Sequence, residues 1–177
     1  MKLLKKQGVA WVIVAVMILF AIGMGSAKAP PKVEVPGSVG PGDSAAVVES
    51  FYVYDDAGVL SAKTEENLTR INLDLYEKLD VLVAVVTTNY GREDLYDYAM
   101  AYAGDIGLGG NDFIVVLDIS GENYWIIQGA NLVNWFTDED CFDYAWNYME
   151  EFFARGDYDS AAQNITEALA HWYYQNF

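Results

Sequence analysis

The sequence predicts an α/β protein: a three-layer α/β/α sandwich with a mixed, mainly parallel sheet, preceded by one N-terminal transmembrane helix. Three observations predict it. VLVAVVTT (81–88) and DFIVVLDIS (112–120) are nearly unbroken apolar runs rich in β-branched residues, as strands covered on both faces tend to be. Segments with apolar residues at helical spacing alternate with them. Finally, GVAWVIVAVMILFAIGMGSA (8–27) carries no charge across twenty positions.

That last run, as a helix, spans ~30 Å, the thickness of a bilayer's hydrocarbon core. Lys2, Lys5 and Lys6 precede it and belong on the cytoplasmic side, which puts the rest of the chain outside. Two readings stay open: a retained single-pass anchor (1–27), or a cleaved signal peptide that releases a secreted form. Ala27-Lys28-Ala29 imitates a cleavage site, but the apolar run exceeds the usual signal length and Pro30 follows at once. Residues 28–47 hold all four prolines of the chain and three glycines, the composition of an extended linker. The domain therefore spans 48–177.

Within it, FYVY (51–54) suits a short strand that stops on Asp55 and Asp56. Ser61 is placed to cap a helix whose first turn holds Glu65 and Glu66 and whose stripe is Leu68, Ile71, Leu75 and Leu79. The strand at 81–88 follows, then a helix over 92–105 with Leu95, Ala99 and Tyr102 on one side. IGLGGND (106–112) is a glycine loop. The strand at 112–120 turns through 121–123 into YWIIQG (124–129), a hairpin. Thr137 with Asp140 has capping-box spacing and opens a helix bearing Cys141, Ala145, Met149 and Phe152, which Gly156 breaks. Asp157 or Asp159 starts the last helix, with Ala162, Ile165, Leu169 and Trp172 inward. Right-handed crossovers make the first three strands mutually parallel. In such sheets, ligands bind beyond the carboxyl ends of the strands, where Asp55 and Asp56 lie.

Composition narrows the chemistry. The net charge is −16, and from residue 48 onward 5 Lys and Arg face 24 Asp and Glu, about −19. Such a field repels nucleic acid and gathers cations. One cysteine, Cys141, and one histidine, His171, exclude an intrachain disulfide and leave no ligand set for zinc. Cys141 reads as a small buried hydrophobe, His171 as a helix-rim residue, and most aromatics as core, with Trp135-Phe136 open to exposure. A haloacid-dehalogenase pattern fails because Ala57 stands where its general acid would be. Gly107-Leu108-Gly109 is no dinucleotide fingerprint, since it precedes a strand.

Oxygen-ligand metal chemistry remains. Ca2+, with Mg2+ as the alternative, takes carboxylate, amide and carbonyl oxygens. Asp55, Asp56, Asn111 and Asp112 are the candidate ligands, provided the glycine loop folds toward the end of the first strand. Asp105 and Asp138 are secondary candidates. The competing readings are a solvated turn for Asp55-Asp56 and a strand-entry turn for Asn111-Asp112.

"VYDDAGVLS", "VLVAVVTTNYGREDLYDYA", "GLGGNDFIVVLDIS", "IIQGANLVNWFTDED" and "RGDYDSAA", in that order, resemble the TPM domain family over about residues 50–172. The resemblance implies an α/β/α sandwich. It also implies an extracytoplasmic, membrane-attached setting, Ca2+ binding as in some members and weak phosphate-ester hydrolysis as in others. The matching positions are Asp55, Asp56, Gly58, Gly107, Gly109, Asn111, Asp112, Gly129, Asp138, Gly156, Asp157 and Tyr158. The chain departs from the family pattern at Ala130-Asn131, at Asp112-Phe113, and in lacking an arginine ahead of Gly129. The function expected is a Ca2+-binding accessory or assembly module for a protein of the cell envelope, with a metal-assisted acid phosphatase as the alternative.

Overall fold

The structure is a computed structural model and describes residues 50–177. The expected membrane helix (1–27) and linker (28–47) lie outside the described residues. Among the described residues no helix is long and apolar enough to cross a membrane.

Four strands form one sheet in the order β1-β2-β3-β4: β1 (Val53–Asp55), β2 (Val83–Thr88), β3 (Phe113–Asp118) and β4 (Asn123–Gln128). β1, β2 and β3 are parallel, with Asp55 opposite Thr87 and Thr88 opposite Asp118. β4 returns antiparallel, Asp118 opposite Asn123, as the expected hairpin requires. The helices are α1 (Ala62–Leu79), α2 (Leu95–Asp105), α3 (Asp138–Tyr148), α4 (Glu150–Ala154) and α5 (Tyr158–Asn176).

Every residue of β2 and β3 is buried, so both faces of the sheet need cover. Val83, Val85, Phe113, Val115 and Leu117 point to one side, where Leu68 and Leu75 of α1, Ala145 of α3, Phe153 of α4, and Ile165 and Leu169 of α5 meet them. Ala84, Val86, Ile114 and Val116 point to the other, which α2 alone covers with Leu95 and Ala99. The layers are thus unequal. Because α1 and α2 lie on opposite faces while β1, β2 and β3 succeed one another across the sheet, the two crossovers have opposite hands. The expectation that both are right-handed fails for one of them; two right-handed crossovers here would put both helices on a single face.

Local signals explain most boundaries. The Ser61 side chain accepts from the Thr64 N–H and starts α1. The Thr137–Asp140 capping box is complete at α3. Gly156, with φ +78°, supplies the left-handed residue that turns the chain into α5. One helix was expected from Thr137 toward Gly156. It breaks at Met149 (φ −125°, ψ −44°), whose side chain is fully buried. Asn72, buried in α1, receives the Val83 N–H on Oδ1 and donates to the Val83 carbonyl through Nδ2, both at 2.9 Å, fastening helix to sheet.

Candidate functional site

Asp55 is the last residue of β1 and not the first residue beyond it. Its backbone carbonyl accepts from Gly58 N–H at 3.1 Å, closing a turn that the chain leaves through the left-handed φ of Gly58 (+67°). Its carboxylate is occupied by the protein itself. Oδ1 accepts from Val59 N–H at 3.1 Å and from the Thr87 hydroxyl, and Oδ2 accepts from Leu60 N–H at 3.0 Å. Thr87 Oγ1 in turn accepts from Ala57 N–H at 3.2 Å. Asp55 therefore organises the turn from inside. Asp56 beside it is exposed and receives the Tyr102 hydroxyl on Oδ2 at 3.2 Å. Burial, reinforced by the negative charge of Asp56, pushes the Tyr102 phenol up from its ordinary range, so it stays a hydrogen-bond donor.

The same edge carries a residue that the sequence reading overlooked. Asp118, fully buried at the end of β3, accepts from Gly91 N–H at 2.8 Å and from Gly121 N–H at 3.2 Å. It ties the β2–α2 loop to the hairpin turn. A Cβ on Gly121 would collide with that carboxylate. The available signal was a charge closing an otherwise apolar strand, with a glycine three residues later. Ser120 Oγ donates to Asn89 Oδ1 at 3.0 Å nearby.

Asn111 and Asp112 stand at the opposite edge, where β3 begins. Asp112 accepts from Leu82 N–H at 2.8 Å and from Gly109 N–H at 2.6 Å, and its carbonyl receives Gly129 N–H at 2.7 Å. It is a latch between the glycine loop, β2 and the end of β4. Burial pushes its carboxyl up, against the lowering effect of the Gly109 and Leu82 N–H groups. Asn111 Oδ1 accepts from Asn131 Nδ2 at 3.0 Å, and its carbonyl receives the Tyr173 hydroxyl. From Leu82, held by Asp112, to Thr87, held by Asp55, is five strand residues, roughly 16 Å. The structure does not bring the four expected ligands together, because the glycine loop is fastened at the far edge by Asp112 itself. Among the described residues no group of three or more His, Cys, Asp or Glu is arranged to hold a metal ion.

Asp105 is exposed at the end of α2, and Asp138 accepts from Gln128 Nε2 at 2.8 Å. His171 is exposed on α5, and Cys141 is buried, donating to Gln128 Oε1 at 3.2 Å. Of the pair Trp135-Phe136, Trp135 is 72% exposed and Phe136 fully buried. At the Asp55–Asp56 edge the side-chain donors are oxygens, which suits a hard cation and not zinc. With Asp55 engaged on both oxygens and Asp56 on one, a bound ion would keep much of its water.

The family model of the TPM domain matches residues 53–171. Three NMR structures are similar in fold. The N-terminal domain of a P. gingivalis protein is 23% identical with a TM-score of 0.63, covering 69% of this chain and 81% of that one. The N-terminal domain of protein cg2496 from Corynebacterium glutamicum is 20% identical with a TM-score of 0.53, covering 73% and 84%. The BA42 protein of Bizionia argentinensis is 15% identical with a TM-score of 0.53, covering 63% and 79%. No curated protein matches the chain. Matched by that family model over well more than half of its length, with the fold to go with it, the chain belongs to the TPM domain family.

Proposed function

We propose that this TPM domain is held outside a cell membrane by the 8–27 segment and binds Ca2+ weakly at the carboxyl edge of β1. There it serves as an accessory or assembly module for a protein of the cell envelope. The observation that carries the ion reading is Asp56: an exposed carboxylate beside Asp55, at the sheet edge where α/β folds bind ligands. Asp56 is the direct ligand and Asp55 holds the turn that presents it, with backbone carbonyls and water completing the shell. Mg2+ is the less suited ion, because it demands a rigid octahedron. Asn111 and Asp112 take no part. The tether rests on the uncharged run and the lysines ahead of it.

A ligand of the folded state must raise the melting temperature. At ten times its Kd the gain is about 1.4 kcal/mol, or roughly 3–6 °C for a domain of this size. The rise should vanish in Asp56→Asn; no rise at millimolar Ca2+ in the native chain removes the ion. A metal-assisted phosphatase is the second reading, favoured by Arg92, which the β2–α2 loop carries at the same edge. Metal-dependent turnover of p-nitrophenyl phosphate, lost in Asp56→Asn, would put it first.

A further inference from the structure

Away from β1, at the other edge of the sheet, a row of rings has no part in the site above. Tyr96 of α2, Trp125 of β4 and Phe142 of α3 meet edge to face, with centroids 5.2 Å and 6.4 Å apart. Trp146 is four residues beyond Phe142 on α3, which sets the two side by side. Phe142 is 67% exposed and Trp146 71% exposed. Adjoining exposed apolar side chains mark interaction surfaces more often than isolated ones do. Glu139 and Asp143, both exposed, occupy the same helical stripe, so α3 presents acid, ring, acid, ring outward.

The stretch of chain that supplies these rings carries charge of one sign. Residues 93–154 contain thirteen Asp or Glu and no Lys, Arg or His. Elsewhere the molecule lays its own cations on its own rings. Lys78 lies 5.7 Å from the centre of Tyr174, Arg92 5.3 Å from Tyr90, and Arg155 4.4 Å from Phe152. These are three of the five basic residues in 50–177. The Phe142–Trp146 stripe has the rings and the carboxylates, and its own stretch of chain supplies no cation.

We infer that this stripe docks a lysine- or arginine-bearing segment of a partner protein. A guanidinium or ammonium over the face of Trp146 is attracted by the ring, while Asp143, one turn back on α3, neutralises it from the side and Glu139, a turn further, meets the next basic side chain. Polyanions and acidic lipid surfaces are repelled by the same carboxylates. The inference rests on the interaction-module part of the reading above and is independent of the ion.

The test uses the full chain in detergent micelles, labelled with 5-fluorotryptophan, each 19F resonance assigned by a Trp→Phe variant. A short peptide alternating lysine or arginine with valine is titrated in, and its glutamate counterpart serves as the control. The expected result is a saturating shift at Trp146 and Trp125 with the basic peptide only, while buried Trp172 does not move. Binding should weaken by about fivefold in a Glu139→Gln/Asp143→Asn variant, as for two exposed ion pairs. No shift at millimolar peptide overturns the proposal, and so does an equal shift with the acidic peptide. A shift that follows the concentration of the chain alone assigns the stripe to a second copy, and quenching of Trp146 by brominated lipid in nanodiscs assigns it to the membrane. Either result overturns the proposal. Phosphate-ester turnover by the same sample overturns the interaction-module reading itself, whereas an unmoved Trp146 in an inactive sample overturns only this surface.

Discussion

The Thr87 hydroxyl donates to the carboxylate of Asp55 directly across the β1–β2 pair, where the two residues stand in register. Through that contact and the N–H groups of Val59 and Leu60, one acid fixes the turn that carries its neighbour Asp56 into solvent.

The two aspartates should therefore separate in mutation. Asp55→Ala strands partly buried donors and should lower unfolding free energy by about 1–3 kcal/mol. Asp56→Asn, at an exposed site, should stay within about 0.5 kcal/mol. Urea unfolding of both variants checks this. Equal losses would contradict the division between a turn organiser and a ligand.

Asp112 should show the opposite pH behaviour to a salt-bridged acid. Its folded carboxyl lies above the ordinary value of 3.8, chiefly through burial. Between 3.8 and that raised midpoint the native state holds a proton that the unfolded chain has lost, so stability falls as pH rises through the window. Asp112→Asn turns an amide NH2 toward an N–H and should cost about 1–3 kcal/mol near neutral pH. As pH is lowered through the window, the native chain should gain stability relative to the variant. Parallel stability curves would contradict this.

Gly129 has no space for a side chain. A Cβ there would fall on the carbonyl of Gly110 and 2.8 Å from that of Gly109, and backbone cannot swing aside. Gly129→Ala should destabilise by about 1–3 kcal/mol, seen as a lower melting temperature with unchanged secondary structure by circular dichroism.

These sites show what the sequence discloses and what it hides. β2 was legible because eight successive buried positions leave no polar face, and α1 and α3 because Ser61 and the Thr137–Asp140 pair are local capping signals. The edge position of Asp55 followed from the parallel strand order alone. The break at Met149 has no proline or glycine to announce it; a buried side chain and the turn into α4 settle it. Which face a helix covers is a tertiary choice, so the placing of α2 alone on one side could not be read from periodicity. Asp112 misled for a related reason. A carboxylate after a glycine loop looks the same in sequence whether its oxygens face an ion or two backbone N–H groups. Only the fold decides that.

Cys141 offers a probe of the closed core. Burial above all, with Asp138 and Asp140 nearby, pushes its thiol far up, and the thiolate is the reactive form. Iodoacetamide should leave the native chain essentially unmodified at neutral pH and react promptly once urea unfolds it. Rapid native alkylation would mean that the α3–β4 contact opens readily.

The placing of the ion is tested most directly by following backbone amides in NMR as Ca2+ is added. The largest shifts should fall on residues 55–58 and saturate in the range of roughly 10⁻⁴–10⁻³ M typical of extracellular sites, with residues 109–112 unmoved. Shifts centred on 109–112, or none at millimolar Ca2+, would contradict a site built on Asp56.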